Sequence, residues 1–238
     1  MPSEDTYVAL DLETTGLSAK QDRIIEVGAV FVENDEIRDM FSTFVNPRLQ
    51  LPERIVEITG ISQEDVDNAP EIGEILTPLS EFIGDRVLLG HRILFDYSFL
   101  KRAFVNAGMT FEKYGIDTLK LARICLPQLP SKKLSDLCVY YGISQRAHRA
   151  LEDAKAAHFL YQRLKAEFRK EGSEPETVFR PQKLIYKVKK EATASKRQKE
   201  RLLSLIEKHK LIMTTDADSM SKNEISRLTD QILAKYGR

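Results

Sequence analysis

Asp11 and Glu13 stand two residues apart in the stretch ALDLETTGLS, residues 9–18. Side chains two apart on a strand share a face, so this spacing sets two carboxylates side by side. Such neighbours repel and each favours its neutral form, unless a divalent cation lies between them. Asp and Glu oxygens suit Mg2+ or Mn2+. Thr14 and Thr15 add hydroxyl donors, and Gly16 lets the chain turn tightly. Alone, the pair also fits two exposed acids at the frayed end of a strand. Two later segments carry acids and histidines of the same kind. In GHRILFD, residues 90–96, Asp96 opens a predicted helix. In HRALED, residues 148–153, a loop histidine precedes Asp153 in the first turn of another. Alone, each acid also fits a helix-end residue complementing the macrodipole, and His148 a surface histidine. In chain order the three segments read D-x-E-T-T-G, H-x-x-x-F-D and H-x-A-x-x-D.

The elements that must position these residues are readable in outline. Residues 7–10 predict a strand. The nearly unbroken apolar run IIEVGAVFV, 24–32, predicts a second, covered on both faces. MFSTFV, 40–45, alternates and stops at Asn46-Pro47, a third strand. Three successive strands suggest an antiparallel meander. Pro52 opens a short helix towards Thr59. After Pro70, Ile72, Ile75, Leu76, Leu79, Phe82 and Ile83 recur at helical spacing. Short strands are predicted at 87–90 and 115–118, and helices at 95–107, 119–126, 133–141 and 150–168. The sum is an α/β mixed sheet of five strands with helices on its faces.

We divide the chain into a first domain at 1–170, a linker at 171–182 and a basic arm with a helical hairpin at 183–238. EGSEPETVFRPQ reads as linker by composition. LIYKVKK beyond it suits an isolated strand or extended arm. Leu202, Leu203, Leu205 and Ile206 make the apolar stripe of a helix over 195–211. Ser221 and Glu224 match a capping box before Ile225, Leu228, Ile232 and Leu233.

The 238 residues carry 36 Lys+Arg and 36 Asp+Glu, a formal net charge of zero. From Arg180 onward there are 15 basic and 7 acidic residues, so an acidic body carries a basic tail. That asymmetry suits a polyanionic ligand contacted partly by the tail, or a merely solvated helix surface. Only Tyr186 is aromatic between Lys183 and Lys210, so base stacking should not dominate there. No apolar run approaches the ~20 residues of a membrane span, and no secretory pattern opens the sequence. Cys125 and Cys138 lie far apart, as core thiols of a cytoplasmic protein would.

The three motifs in this order make the chain resemble the DEDDh 3′–5′ exonucleases, the DnaQ-like branch of the ribonuclease H-like superfamily. The resemblance covers about residues 6–165. It is supported by RIIEVGAV at 23–30, Asn46-Pro47, ITGIS at 58–62, Asp117-Thr118-Leu119 and Leu121-Ala122-Arg123. The ITGIS segment is closer to the exonuclease domain of the Gram-positive replicative polymerase than to the separate epsilon proofreading subunit. With no polymerase sequence beside it, a free-standing relative is expected.

The resemblance implies a ribonuclease H-like fold and a site of Asp11, Glu13, Asp96 and Asp153 holding two divalent cations, Mg2+ or Mn2+. It implies His148 as the catalytic histidine, a residue type that titrates near neutral pH. By the same resemblance Asp11 bridges both ions, Glu13 and Asp153 hold the one carrying the attacking water, and Asp96 helps hold the second. Thr14, Thr15, Gly16 and Leu17, with His91, Arg92 and Phe95 of the second motif, are the substrate-binding candidates. Read from the residues alone, His91 resembles His158 and His209, structural or surface histidines. The family usually has asparagine where this chain has Arg92, a permanent cation with no acceptor, which bears on substrate preference. The implied activity is 3′–5′ hydrolysis of DNA, releasing nucleoside 5′-monophosphates. An RNA-trimming enzyme is the alternative, since sugar choice lies in contacts near the ribose 2′ position. A binding module without catalysis should show broken acids, whereas all five positions are intact. The expected partner is single-stranded or 3′-ended nucleic acid, with a replication or repair protein as a second candidate at the C-terminal region.

Overall fold

The computed structural model describes residues 5–145, 147–169, 176–190, 192–211, 217 and 220–237. The chain forms two compact units, Met1–Val188 and Lys189–Arg238. In the first, β1 (Thr6–Thr14), β2 (Ile24–Glu33) and β3 (Glu36–Phe44) form the expected antiparallel meander. Asn34 and Asp35 join β2 to β3 with both φ positive, the geometry that matches the twist of paired strands. β4 (Val87–Gly90) runs parallel to β1, and β5 (Tyr114–Asp117) parallel to β4.

Among the described residues the sheet has six strands, in the order β3-β2-β1-β4-β5 and then β6 (Gln182–Lys183). The sixth pairs antiparallel with β5 and was not among the five expected. It starts inside the segment read as linker. Leu184, just beyond it, is buried over Gly115, where an added Cβ would come within 2.8 Å of the leucine. Phe179, ending a short helix before β6, is fully buried against Tyr161. Two apolar anchors therefore tie down a stretch whose Pro and Ser content suggested none, while residues 171–175 lie outside the described residues.

Among the described residues seven helices precede that short one: α1 (Glu53–Thr59), α2 (Gln63–Asp67), α3 (Ile72–Ile83), α4 (Leu94–Asn106), α5 (Thr118–Cys125), α6 (Leu134–Tyr141) and α7 (Ala150–Phe168). Alternation along β1 sorts its side chains between two cores. Val8, Leu10 and Leu12 pack with Leu76 and Leu79 of α3 and Tyr97 and Leu100 of α4. Tyr7 and Ala9 face Leu121 of α5, Leu137 of α6, and Leu160 and Leu164 of α7. Asp11 and Glu13 continue the second series, so they lie on the α7 side at the end of β1, where apolar partners run out. His158 of α7 is a structural histidine: its Nδ1 meets the Tyr7 hydroxyl at 2.8 Å, and burial pushes its pKa down to about 4.

In the second unit, α9 (Lys196–Lys208) and α10 (Lys222–Tyr236), numbered after α8 (Glu176–Phe179), form the expected helical hairpin. Leu202, Ile225 and Ile232 are buried in its core, with Leu205, Ile206 and Leu228 packed around them. Leu203 is about half exposed and falls off the expected stripe, because it lies one residue, about 100° of helix, from Leu202. Ser195 caps α9 reciprocally with Gln198. The Glu224 side chain of the proposed capping box lies outside the described residues. His209 stacks on Tyr236. Among the described residues no helix is long and apolar enough to cross a membrane, and Cys125 and Cys138 are buried free thiols.

Candidate active site

β1 pairs with β4 only from Tyr7 to Ala9, so its last residues overhang the parallel neighbour. A backbone N–H on that side has no strand to bond. Asp96, in the first turn of α4, fills the gap: its Oδ1 accepts the Leu12 N–H at 3.1 Å. The bond draws a buried carboxylate from one helical layer to the strand that carries Asp11 and Glu13, and satisfies a donor that would otherwise be orphaned. Asp96 is therefore a cross-element contact rather than a residue that merely complements its own helix.

From the other layer, α7 brings Asp153 in its first turn, held by two donors. Its Oδ1 accepts from the Gln145 side chain and its Oδ2 from the His148 N–H at 3.1 Å. His148 is exposed and sits at φ 64°, in the left-handed region that non-glycine residues seldom occupy. Glu13, His148 and Asp153 each bring a ligand atom within 4.8 Å of the others.

The electrostatics follow from crowding. Asp11 is raised well above the ordinary carboxylate range by burial, then by Asp96, Asp153 and Glu13. Glu13 is pushed up to about 8 by burial, Asp153 and Glu26, against the opposing pull of Arg149. Burial also raises Asp96, although hydrogen bonds from its own N–H and that of Leu12 oppose the shift. Asp153 is raised by burial and lowered by its bonds to Gln145 and His148. Acids so placed cannot all ionise unaided, whereas a divalent cation compensates several at once. Oxygen donors from four carboxylates suit a hard cation such as Mg2+ or Mn2+, so the donor set fits the expected ions.

The turn after β1 is built by its own side chains. The Thr14 hydroxyl donates to the Gly16 carbonyl at 2.7 Å, and the Thr15 hydroxyl accepts the Arg23 N–H at 2.9 Å. A Cβ at Gly16 would lie 2.6 Å from the Asp22 carboxylate, which also accepts the Ser18 N–H. Gly16 thus makes room for the acid that closes the turn, and Leu17 is left 83% exposed at its tip.

His91 is tied up within the protein. Its Nε2 lies 2.8 Å from the Lys132 carbonyl and its Nδ1 2.9 Å from the Thr118 hydroxyl. The carbonyl can only accept, so Nε2 carries a proton, and in the neutral ring Nδ1 accepts from the Thr118 hydroxyl, whose single hydrogen is shared with the Gly90 carbonyl at 3.3 Å. Burial lowers its pKa, in keeping with this neutral form. Neither ring nitrogen is left for a nucleotide. Arg92 stands at φ 77°, its N–H donating to Asp117 Oδ1 at 3.0 Å, and its guanidinium lies 5.7 Å from the Phe95 ring centre. Asparagine tolerates the left-handed region better than arginine, so arginine here carries a backbone cost. Asp117 also caps α5 through the Leu119 and Lys120 N–H groups.

Gln145, Asp117, Glu26 and Arg149 border this site and were not among the expected site residues. Asp117 entered only through the Asp117-Thr118-Leu119 match, and Glu26 gave a signal of its own as an acid inside an otherwise apolar strand run.

A sequence model of the RNase T family, described as Exonuclease, matches residues 8–161. The chain is 42% identical over 169 residues to the PolC-type DNA polymerase III of Clostridium perfringens, covering 69% of this chain and 12% of that protein. It is 40% identical over 161 residues to the PolC-type polymerase of Bacillus subtilis, covering 66% and 11%. The chain therefore spans about an eighth of the length of the curated relatives it matches. Escherichia coli exonuclease I in complex with a dT13 oligonucleotide shares the fold at TM-score 0.62 and 19% identity, over 68% of this chain and 41% of that one. Exonuclease X in complex with 5′ overhanging duplex DNA does so at TM-score 0.57 and 21% identity, over 73% and 99%.

Proposed function

The chain belongs to the RNase T exonuclease family, and from that membership we propose that it is a divalent-cation-dependent enzyme that removes nucleoside 5′-monophosphates from the 3′ end of DNA. The observation that carries the proposal is the meeting of Asp11, Glu13, Asp96, Asp153 and His148 at the overhanging end of β1. DNA is preferred because the two sequence relatives named above are DNA polymerases.

Asp11, Glu13, Asp96 and Asp153 would hold the cations. When bound, two such ions supply charge stabilisation to both the attacking and the leaving oxygen of a phosphodiester displacement. His148 accepts the proton of the attacking water on its imidazole. Its backbone N–H is bonded to Asp153, which ties the base's backbone to one of the acids. Leu17, exposed at the tip of the turn, and Phe95, beside Asp96, offer apolar faces to the terminal base. Thr14, Thr15 and Gly16 shape the turn beneath it. The Arg92 guanidinium, over Phe95, provides a positive charge for a phosphate. The basic second unit is a further contact for nucleic acid or for a protein partner.

The test is turnover of matched DNA and RNA oligonucleotides labelled at the 5′ end, with Mg2+, with Mn2+ and with chelator. Stepwise shortening from the 3′ end that requires a cation and is faster on DNA is expected. Faster RNA turnover would transfer the proposal to RNA, and cleavage indifferent to chelator would remove it.

A further inference from the structure

Two residues of β2 stand opposite the two acids of β1. In the strand register Glu26 is the partner of Glu13, and Gly28 the partner of Asp11. Being two apart, Glu26 and Gly28 share the face that looks toward α7. Both meet the start of that helix. A Cβ on Gly28 would lie 2.1 Å from the Leu151 nitrogen and 2.2 Å from the Ala150 carbonyl carbon. The helix backbone therefore rests directly on the strand, at a position only glycine can occupy. The Glu26 carboxylate, only 2% exposed, accepts the Ala150 N–H at 3.1 Å. It also accepts the Arg149 guanidinium, from Nη2 at 3.0 Å and Nε at 3.2 Å. That guanidinium lies over the Phe44 ring of β3, 5.2 Å from its centre.

The N-cap of α7, Arg149, makes no side-chain cap of its own. The helix's first free N–H is satisfied instead by a carboxylate from a strand 124 residues earlier. This placement is costly. A fifth carboxylate beside Glu13 adds to the repulsion among the acids, and an apolar side chain would cover the same face without it. What Glu26 provides is a fixed register between β1 and the segment 148–153.

We propose that Glu26, Gly28 and Arg149 form a seat that sets the spacing of Asp153 and His148 from Asp11 and Glu13, with Glu26 and Arg149 as positioning residues. The proposal rests on the active-site reading above. It does not need either residue to touch substrate or cation.

Two variants separate positioning from simple charge. Glu26→Gln and Arg149→Met both break the seat, but they alter the local field in opposite senses. Direct calorimetric titration of each full-length variant with Mn2+, at a pH above the Glu13 value of about 8, reads the difference. Positioning predicts that both variants bind Mn2+ about 10-fold or more weakly, with kcat lowered and KM for DNA little changed. Charge alone predicts that Arg149→Met binds Mn2+ at least as tightly as wild type, and that result would overturn the proposal. If Arg149→Met fails to fold, Arg149→Lys decides: it keeps the charge and loses the two-pronged contact, so undiminished Mn2+ binding in that variant also overturns the seat. A wild-type protein that neither binds Mn2+ nor cuts DNA would remove the active-site reading itself. Intact wild-type behaviour with an unaffected arginine variant removes the seat alone.

Discussion

Glu13 carries its proton up to a pH of about 8, against an ordinary 4.5. Between those values the folded chain binds more protons there than the unfolded chain, so without metal its stability falls as pH rises. His158, lowered to about 4, acts in the opposite direction on the acid side, and only below its ordinary 6.5. Between pH 6.5 and 8 the Glu13 effect therefore stands clear of it. Melting curves over that range should decline in chelator, and Mg2+ should raise Tm by an amount that grows with pH, since the ion competes with protons for the same oxygens. A Mg2+ effect independent of pH would contradict this account of the acids. His148 plays a different part. His148→Ala should lower kcat by roughly 10²–10⁴-fold while leaving stabilisation by Mg2+ in place. Equal losses of both would make the histidine a ligand rather than a base.

At the scale of elements, the site depends on where strands end and what rests on them. Gly28 and Gly73 give a clean contrast. A methyl at Gly73, in α3, meets nothing within 4 Å, whereas one at Gly28 meets the α7 backbone. Gly73→Ala should be neutral or stabilising by up to ~1 kcal/mol. Gly28→Ala should cost about 3 kcal/mol or more, because the clash is with backbone, a Tm loss of roughly 6–12 °C, and weaken stabilisation by Mg2+, as thermal melts of the two variants will show. The sheet and α7 were legible in the sequence because their signals are local. Period-two alternation put Asp11 and Glu13 on one face, and the helix expected over 150–168 has the bounds of α7. Glu26 stood out as an acid in an apolar strand, but its contact with Arg149, 123 residues away, leaves no such local trace. Nor did β6, whose docking depends on Leu184 meeting Gly115 across the chain. Arg92 was visible as an unusual residue, but its left-handed backbone and its bond to Asp117 were not.

At the scale of the whole molecule, an acidic body and a basic hairpin share one chain. Residues 189–238 hold 12 Lys+Arg against 7 Asp+Glu. Because β6 and Leu184 belong to the first unit's sheet and core, a truncation that respects the fold falls after Val188, not at the composition-based linker. Removing 189–238 should leave cation-dependent cleavage intact while weakening DNA affinity and flattening its dependence on salt. Unchanged affinity and salt slope would assign the hairpin to a protein partner or a structural role.

The central claim is that the carboxylates at the end of β1 form a cation-dependent nuclease site, and Asp11 sits at their centre. The direct measurement is 3′-end cleavage of single-stranded DNA by wild type and Asp11→Ala in Mg2+ or Mn2+, with Tm recorded for both. The account predicts that wild type cuts only with cation, and that Asp11→Ala loses cleavage while remaining folded. Undiminished cleavage by folded Asp11→Ala would contradict it.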